Sequence, residues 1–326
     1  MGMSGAERID VVVPTRNTRN VTLRAIAAIL AERSRGVPAR CVVVDNASED
    51  RTSEAIRARW PDVSVIRNTV DLGYGHACNQ GARAGEAEYV LVLNSDVFAR
   101  PGAVERLASF LDAGAEYVAA AGRLVHVGTD RPQVGFAVRA YPSLPAQLAL
   151  LVGLERYWPS NPISRRQLMK DFAYDRTQEL EAQPAAACLL VRRADYEAVG
   201  GFDESFHYWF EDVDLLRRLG SRGRIAYCHE ATFEHVGGAS FTRWSRQQVI
   251  AARYHGLLRY FDKHHPHREV IALRAAVGLL AALRAVALWP FARERARAYR
   301  GVVRLAIRID GRPQPERGAR GGSEEG

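Results

Sequence analysis

Four short apolar runs in the first ninety residues, spaced by helical patterns, constrain this chain more than anything else in it. They cover residues 9–13, 41–44, 63–67 and 89–93, and the first, second and fourth meet Pro14, Asp45 and Asn94 at their ends. The runs do not alternate apolar with polar, so both faces are buried, as in a parallel sheet. Between them, residues 21–32, 50–60 and 73–84 carry helical spacing, the second closed by Pro61. Repeated units of this kind predict an α/β fold with a mainly parallel central sheet, right-handed crossovers and flanking helices. Ligands of such sheets bind beyond the carboxyl ends of the strands. Pro14, Asp45, Asn68 and Asp96 all fall there.

The remaining chain divides by composition. With 326 residues it can hold one large α/β domain and an appendage. Residues 122–183 lose the pattern, punctuated by Pro142, Pro145, Pro159 and Pro162; one helix is expected near 147–152, within a mobile excursion on the acceptor side. Strands are expected at 185–192 and 224–227, a turn at Gly200-Gly201-Phe202-Asp203, and a loop at His235-Val236-Gly237-Gly238. Beyond Ser245 the chain reads as helical to about residue 309. Residues 311–326, rich in Gly, Arg and Glu, have little to bury and are expected to be disordered. The expected division is a domain over 1–245, a basic helical segment over 246–310 and a tail over 311–326.

Cysteine, charge and hydropathy exclude several classes. Cys41, Cys78, Cys188 and Cys228 stand far apart, so no zinc cluster is expected, only buried thiols of a reducing compartment. The first residues carry no apolar signal region, which predicts a cytoplasmic protein. No uncharged run of about 18 apolar residues exists, so no spanning helix is expected. The net charge of +8 is concentrated in residues 268–312, where ten arginines stand against Glu269, Glu294 and Asp310. A nearly neutral remainder argues against nucleic-acid binding.

Chemistry concentrates in a few places. Glu211, Asp212 and Asp214 occupy four positions between Tyr208-Trp209-Phe210 and a helical apolar stripe. Like charges so close need water, a metal or a proton to relieve them, and an aromatic wall beside a carboxylate suits a general base. Asp45 either holds a ligand's base or ribose or, with Asn46 and Ser48, caps the next helix. Asp96, in Asn94-Ser95-Asp96, either binds a hard divalent ion or caps a helix after Pro101. Asn68, Gly73, Gly75 and Asn79 form a glycine-rich entry to a helix, which attracts phosphate but lacks the last glycine of a dinucleotide fingerprint. His235, before two glycines, either ligates a metal or packs. No serine-hydrolase elbow, Walker loop or His-Glu-x-x-His is present.

Read in order, Val11-Val12-Val13-Pro14-Thr15-Arg16-Asn17, Val44-Asp45-Asn46-Ala47-Ser48, residues 68–79, Leu93-Asn94-Ser95-Asp96, Gly200-Gly201-Phe202-Asp203-Glu204 and Glu211-Asp212-Val213-Asp214 resemble the family 2 glycosyltransferases of GT-A fold. The resemblance spans residues 8–262 and is strongest to bacterial rhamnosyltransferases of cell-wall and O-antigen synthesis. It implies inverting transfer of a sugar from a nucleoside diphosphate donor to an acceptor hydroxyl. Pro14, Thr15 and Asn17 would line the nucleoside pocket, Asp45 would hold the base, and Asn68 and the Gly73–Asn79 turn would flank the nucleotide. Asn94 and Ser95 would stand beside the donor. Asp96 and His235 would hold a divalent cation, Mg²⁺ or Mn²⁺. Asp212 would be the base, with Glu211 placing the acceptor or donor. Where many relatives have a carboxylate, this chain has Asn94, a weaker neutral ligand. The processive synthases' Gln-x-x-Arg-Trp is not matched, since Ser240 precedes Arg243-Trp244. The subgroup favours TDP-rhamnose over a UDP-sugar and implies a glycan or lipid-linked acceptor. The arginine-rich segment, with Trp289, Phe291 and Tyr299, suits an anionic membrane surface at the inner face of the cell membrane. Rival readings are a non-catalytic binding module and a sugar-1-phosphate nucleotidyltransferase; Thr15-Arg16-Asn17 does not supply the signature the latter needs.

Overall fold

The computed structural model describes residues 7–238 and 244–308. Ser240, Arg243, the end of the basic segment and the expected tail lie outside the described residues. The chain runs β1 (Ile9–Thr15), α1 (Arg19–Ser34), β2 (Ala39–Asn46), α2 (Thr52–Arg59), β3 (Ser64–Asn68), α3 (Tyr74–Arg83), β4 (Tyr89–Leu93), β5 (Val97–Ala99), α4 (Ala103–Ala113), β6 (Tyr117–His126) and β7 (Val138–Arg139). It continues α5 (Leu144–Leu151), α6 (Leu154–Tyr157), α7 (Pro162–Gln167), β8 (Gln178–Glu179), β9 (Gln183–Pro184), β10 (Cys188–Arg192), α8 (Arg193–Ala198), α9 (Glu211–Leu219) and β11 (Arg224–His235). Three helices close it: α10 (Arg246–His264), α11 (His267–Leu288) and α12 (Arg293–Ile307).

The main sheet has the order β3-β2-β1-β4-β10-β6-β11-β5, with β8 beside β11. β3, β2, β1 and β4 are parallel, as the apolar runs predict. β10 enters antiparallel between β4 and β6, and β11 then runs parallel to β6. Val11, Val12, Val13, Val42, Val43 and Leu91 are all fully buried between helices on either face. In this register Thr15 stands beside Asp45 and Asn46 beside Asn68, so the carboxyl ends of β1–β3 form one rim. Asp10, buried at the opposite end, is paired with Arg40 (2.9 Å) and Arg193 (2.6 Å), which binds β1 to β2 and α8.

Several expectations change. The 122–183 excursion carries three helices instead of one, with α5 at 144–151. The strand expected at 224–227 extends to His235, because a register shift between Cys228 and Thr232 lets it follow β6 and then pair with β5. His235 therefore ends a strand and does not sit in a loop. The basic segment is three helices broken at Pro266 and Pro290. They form a second core in which Leu257, Phe261, Leu273, Val277 and Val302 pack against Phe206, Val213 and Leu151. α11 is also long and apolar enough to cross a membrane by length and composition. Counting only uncharged runs misses it because Arg274 and Arg284 interrupt the stretch. Both arginines turn inward, Arg274 to Asp262 and the carbonyls of Leu305 and Arg308, Arg284 to Tyr254 and the Leu151 carbonyl.

Candidate active site

A cavity of about 940 Å³ opens beyond the carboxyl ends of β1, β2 and β4. Its floor is Pro14, Thr15, Asn94 and Ser95. Hydroxyls of Thr15, Thr18, Thr22 and Ser95, linked at 2.8–3.1 Å, fasten the end of β1 to the loop after β4. Tyr74, at the start of α3, donates to Asn94 Oδ1 (2.8 Å) and so fixes that amide. Asp71 joins three segments: it accepts from Asn46 Nδ2 (2.7 Å) and Tyr208 Oη (2.9 Å) and pairs with Arg16.

Five residues expected at the nucleotide do not line this cavity. Asp45 is 1% exposed, and its oxygens accept from the Ser48 N–H (2.8 Å) and the Ser53 hydroxyl; these bonds brace the loop between β2 and α2 but do not cap α2, whose cap position is Arg51. Asn17, in the left-handed region at φ 53°, spends its side-chain oxygen on the Glu49 N–H. Asn68 closes a double amide bond with Gln80 (2.8 and 3.0 Å). Gly73 begins α3, its N–H bound to Asp71 (3.0 Å). Asn79 gives its amide to the Phe202 carbonyl and Glu204 and takes Tyr196 Oη and the Phe202 N–H, all within 2.7–2.9 Å. An amide saturated in this way is a clamp holding the Gly200–Glu204 turn on α3. The resemblance puts these five at the ligand; in the structure their hydrogen bonds shape the loops around the cavity.

The acids line the cavity near Tyr74 and Ala186. Trp209 and Phe210 both have positive φ, 64° and 71°, just before α9. Two successive non-glycine residues there are costly, and such strain persists only where its surroundings enforce it. The turn swings Glu211 and Asp212 into the cavity at the first turn of α9. Their surroundings differ. Glu211 is buried with Oε2 unpartnered, and desolvation, then the Asp212 charge, pushes its pKa far above the carboxylate range. Desolvation also raises Asp212, but backbone N–H groups at Val213 and Ala186 and the Arg139 charge favour its ionised form. Both pKa values are raised, and the groups that favour a charge gather on Asp212, which suits it to the charged role in the pair. Asp214, the third acid, is fully buried and paired with Arg218, Lys263 and His264 (2.7–2.8 Å), so it ties α9 to α10.

Asp96 and His235 meet at 3.4 Å between Oδ1 and Nε2, both nearly fully buried. Gln133 donates Nε2 to the His235 carbonyl (2.9 Å), which orients its amide, and Oε1 faces His235 Nδ1 (2.7 Å). Nδ1 therefore carries hydrogen, and Nε2 is the ring nitrogen that faces Asp96. A carboxylate beside an imidazole nitrogen, with the second ring nitrogen held by an acceptor, is a donor set that fits a divalent cation. Among the described residues no group of three His, Cys, Asp or Glu forms, so the rest of a shell would come from water and substrate oxygens. The pair adjoins the cavity through Ser95 and through Phe136, which lines it and stacks on His235 at 4.8 Å.

The sequence reading overlooked Gln133, Asp71 and the cavity's basic side: Arg139 from β7, Arg253 from α10 and Arg284 from α11. A usable signal existed for the last two. Neither has an acid three or four residues away to pair with on its helix.

A mainly parallel sheet with a rim cavity that is lined by an acid pair at a helix start and adjoins Asp96 and His235 has the arrangement of a glycosyltransferase of GT-A architecture. The glycosyl transferase family 2 model matches residues 10–172, and the chain belongs to that family. It is 34% identical over 245 residues to the N-acetylglucosaminyl-diphospho-decaprenol L-rhamnosyltransferase of Mycobacterium tuberculosis, covering 70% of this chain and 76% of that protein. It is 34% identical over 285 residues to the succinoglycan biosynthesis protein ExoO of Rhizobium meliloti, covering 83% and 75%. The mannosyltransferase PcManGT of Pyrobaculum calidifontis, solved with GDP-Man and Mn²⁺, shares the fold with a TM-score of 0.51 at 17% identity, covering 93% of this chain and 86% of that one.

Proposed function

We propose that the chain moves L-rhamnose, with inversion, from TDP-rhamnose to a hydroxyl of a glycan on a lipid-linked acceptor, at the inner face of the cell membrane. The observation that carries the reading is the acid pair Glu211 and Asp212, set side by side at the first turn of α9 and both lining a nucleotide-sized cavity. Asp212 takes the acceptor proton as the oxygen attacks the anomeric carbon, and the bond to the diphosphate breaks on the opposite face. Glu211, neutral, positions a sugar hydroxyl. Asp96 and His235 would hold a Mg²⁺ or Mn²⁺ ion, which neutralises the leaving diphosphate when bound. The similarity to a rhamnosyltransferase that acts on a decaprenyl-linked substrate supports the choice of donor and acceptor.

Attachment to the bilayer fits the outer surface of the last helices. Ile271, Leu279, Leu283 and Val286 form an uncharged exposed strip on α11, and Arg293, Arg295, Arg297 and Arg300 are exposed on α12 beside it. That combination suits an anionic surface.

The test is transfer from TDP-L-rhamnose to an N-acetylglucosaminyl-diphospho-polyprenol with Mg²⁺, followed by NMR of the anomeric centre. The expected product has the configuration opposite to the donor's. Turnover of UDP-sugars with TDP-rhamnose inert overturns the donor, and retained configuration overturns the mechanism.

A further inference from the structure

Arg139, Arg253 and Arg284 face the cavity, and none of the three has an ion pair among the described residues. This is unusual in a chain whose other arginines so often bind carboxylates. Arg284 is held in place by Tyr254 Oη (3.1 Å), the Leu151 carbonyl and the face of Tyr299. Arg139 lies close enough to Asp212 and Arg253 for both charges to act on it, while desolvation lowers its pKa. Arg253 has no hydrogen-bond partner among the described residues. Three guanidinium groups gathered in one concave space repel one another unless an anion joins them. In the function proposed above, the donor's diphosphate lies beside Ser95 and Asp96. The basic cluster comes from other elements, β7, α10 and α11.

The surroundings of the cluster are apolar. Leu150, Leu151, Val249, Ile250 and Leu257 line the same cavity. At its rim Arg284 lies between Leu283, 57% exposed, and Val286, 74% exposed, while Val152, 55% exposed, follows the Leu151 carbonyl it binds. An anion-binding centre that opens onto an exposed apolar strip matches an amphiphile with a phosphorylated head and a hydrocarbon tail.

We propose that Arg139, Arg253 and Arg284 form the acceptor subsite, binding the phosphate or diphosphate of a lipid-linked acceptor whose hydrocarbon leaves over Leu150, Val152 and Leu283. The inference rests on the acceptor side of the function proposed above, not on the identity of the sugar.

The test is equilibrium binding to the full chain without donor, read by the fluorescence of Trp209 and the other tryptophans. The probes are farnesyl diphosphate, farnesol and TDP. Farnesyl diphosphate is expected to bind at least about tenfold more tightly than farnesol. Arg253→Gln is the first variant, since Arg253 makes no internal bond and its loss leaves the fold intact, checked by thermal melting. It should remove most of that preference and leave TDP affinity within about twofold, and Arg253→Lys should restore part of it. An equal loss of TDP affinity assigns the cluster to the donor and overturns the proposal. So does an unchanged affinity for farnesyl diphosphate. Because no sugar is transferred, a failure of the rhamnose reading leaves these results interpretable: TDP-rhamnose would be inert in turnover while farnesyl diphosphate still bound through Arg253.

Discussion

At the scale of single residues, the acid pair makes the strongest demands. Glu211 has a pKa raised by burial, so the folded state holds its proton over a pH range where the unfolded chain has lost it. Its contribution to stability is full below the ordinary carboxylate pKa and is lost as pH rises through the folded value. Glu211→Gln should therefore raise the melting temperature near pH 7–8 and give no gain near pH 4, as calorimetry across pH will show. Asp212 must be ionised to accept a proton, and its pKa is also raised, first by desolvation. The acid limb of kcat against pH should accordingly lie above that of an exposed aspartate, with activity lost as pH falls through it. The sequence singles out these two positions, because three acids in four positions beside aromatics are an unusual cluster, and the structure sets both at the cavity. The fate of Asn79 was not legible in sequence. It reads as a ligand amide in a glycine-rich turn, and its real partners, Phe202 and Glu204, stand more than 120 residues away. Sequence spacing carries no trace of that saturation.

Among elements, α10 determines whether the acid-bearing turn can exist. Gly256 lies against the Trp209 carbonyl so closely that an added methyl group would collide with backbone. The strained pair Trp209-Phe210 is thus pressed into place by a helix that composition alone presents as a basic appendage. Gly256→Ala should cost about 1–3 kcal/mol in chemical denaturation and lower turnover, because the helix must retreat and the turn relax. Gly278→Ala serves as the comparison: its methyl would meet Ala306 at an ordinary 3.5 Å, and about 0.5–1 kcal/mol of stabilisation is expected. The parallel strands were readable because short apolar runs, each ended by a proline or a polar residue, have one physical meaning. β6 was not, since Ala119, Ala120, Ala121 and Gly122 carry little strand preference and are buried only because β10 and β11 flank them. The three-residue β5 is likewise held by its long-range partner β11.

In the proposed function the molecule joins a donor floor at the strand ends to a helical wall that would face the bilayer. Exposed Leu279, Val286 and Phe291 lie beside exposed arginines, so vesicles with acidic lipids should pellet the protein and neutral ones should not, with binding weakened by salt. The triple change Leu279→Ser, Val286→Ser, Phe291→Ser should abolish pelleting without lowering the melting temperature, since none of the three is buried. Equal pelleting with neutral vesicles would contradict this placement. The account's central claim is that Asp212, at the first turn of α9, accepts the proton in transfer. It is tested most directly by comparing sugar transfer and donor binding in Asp212→Asn and the unaltered chain. Transfer should fall about a hundredfold or more, roughly 3 kcal/mol of barrier, with donor affinity unchanged. Transfer at the unaltered rate, with donor bound as before, would contradict it.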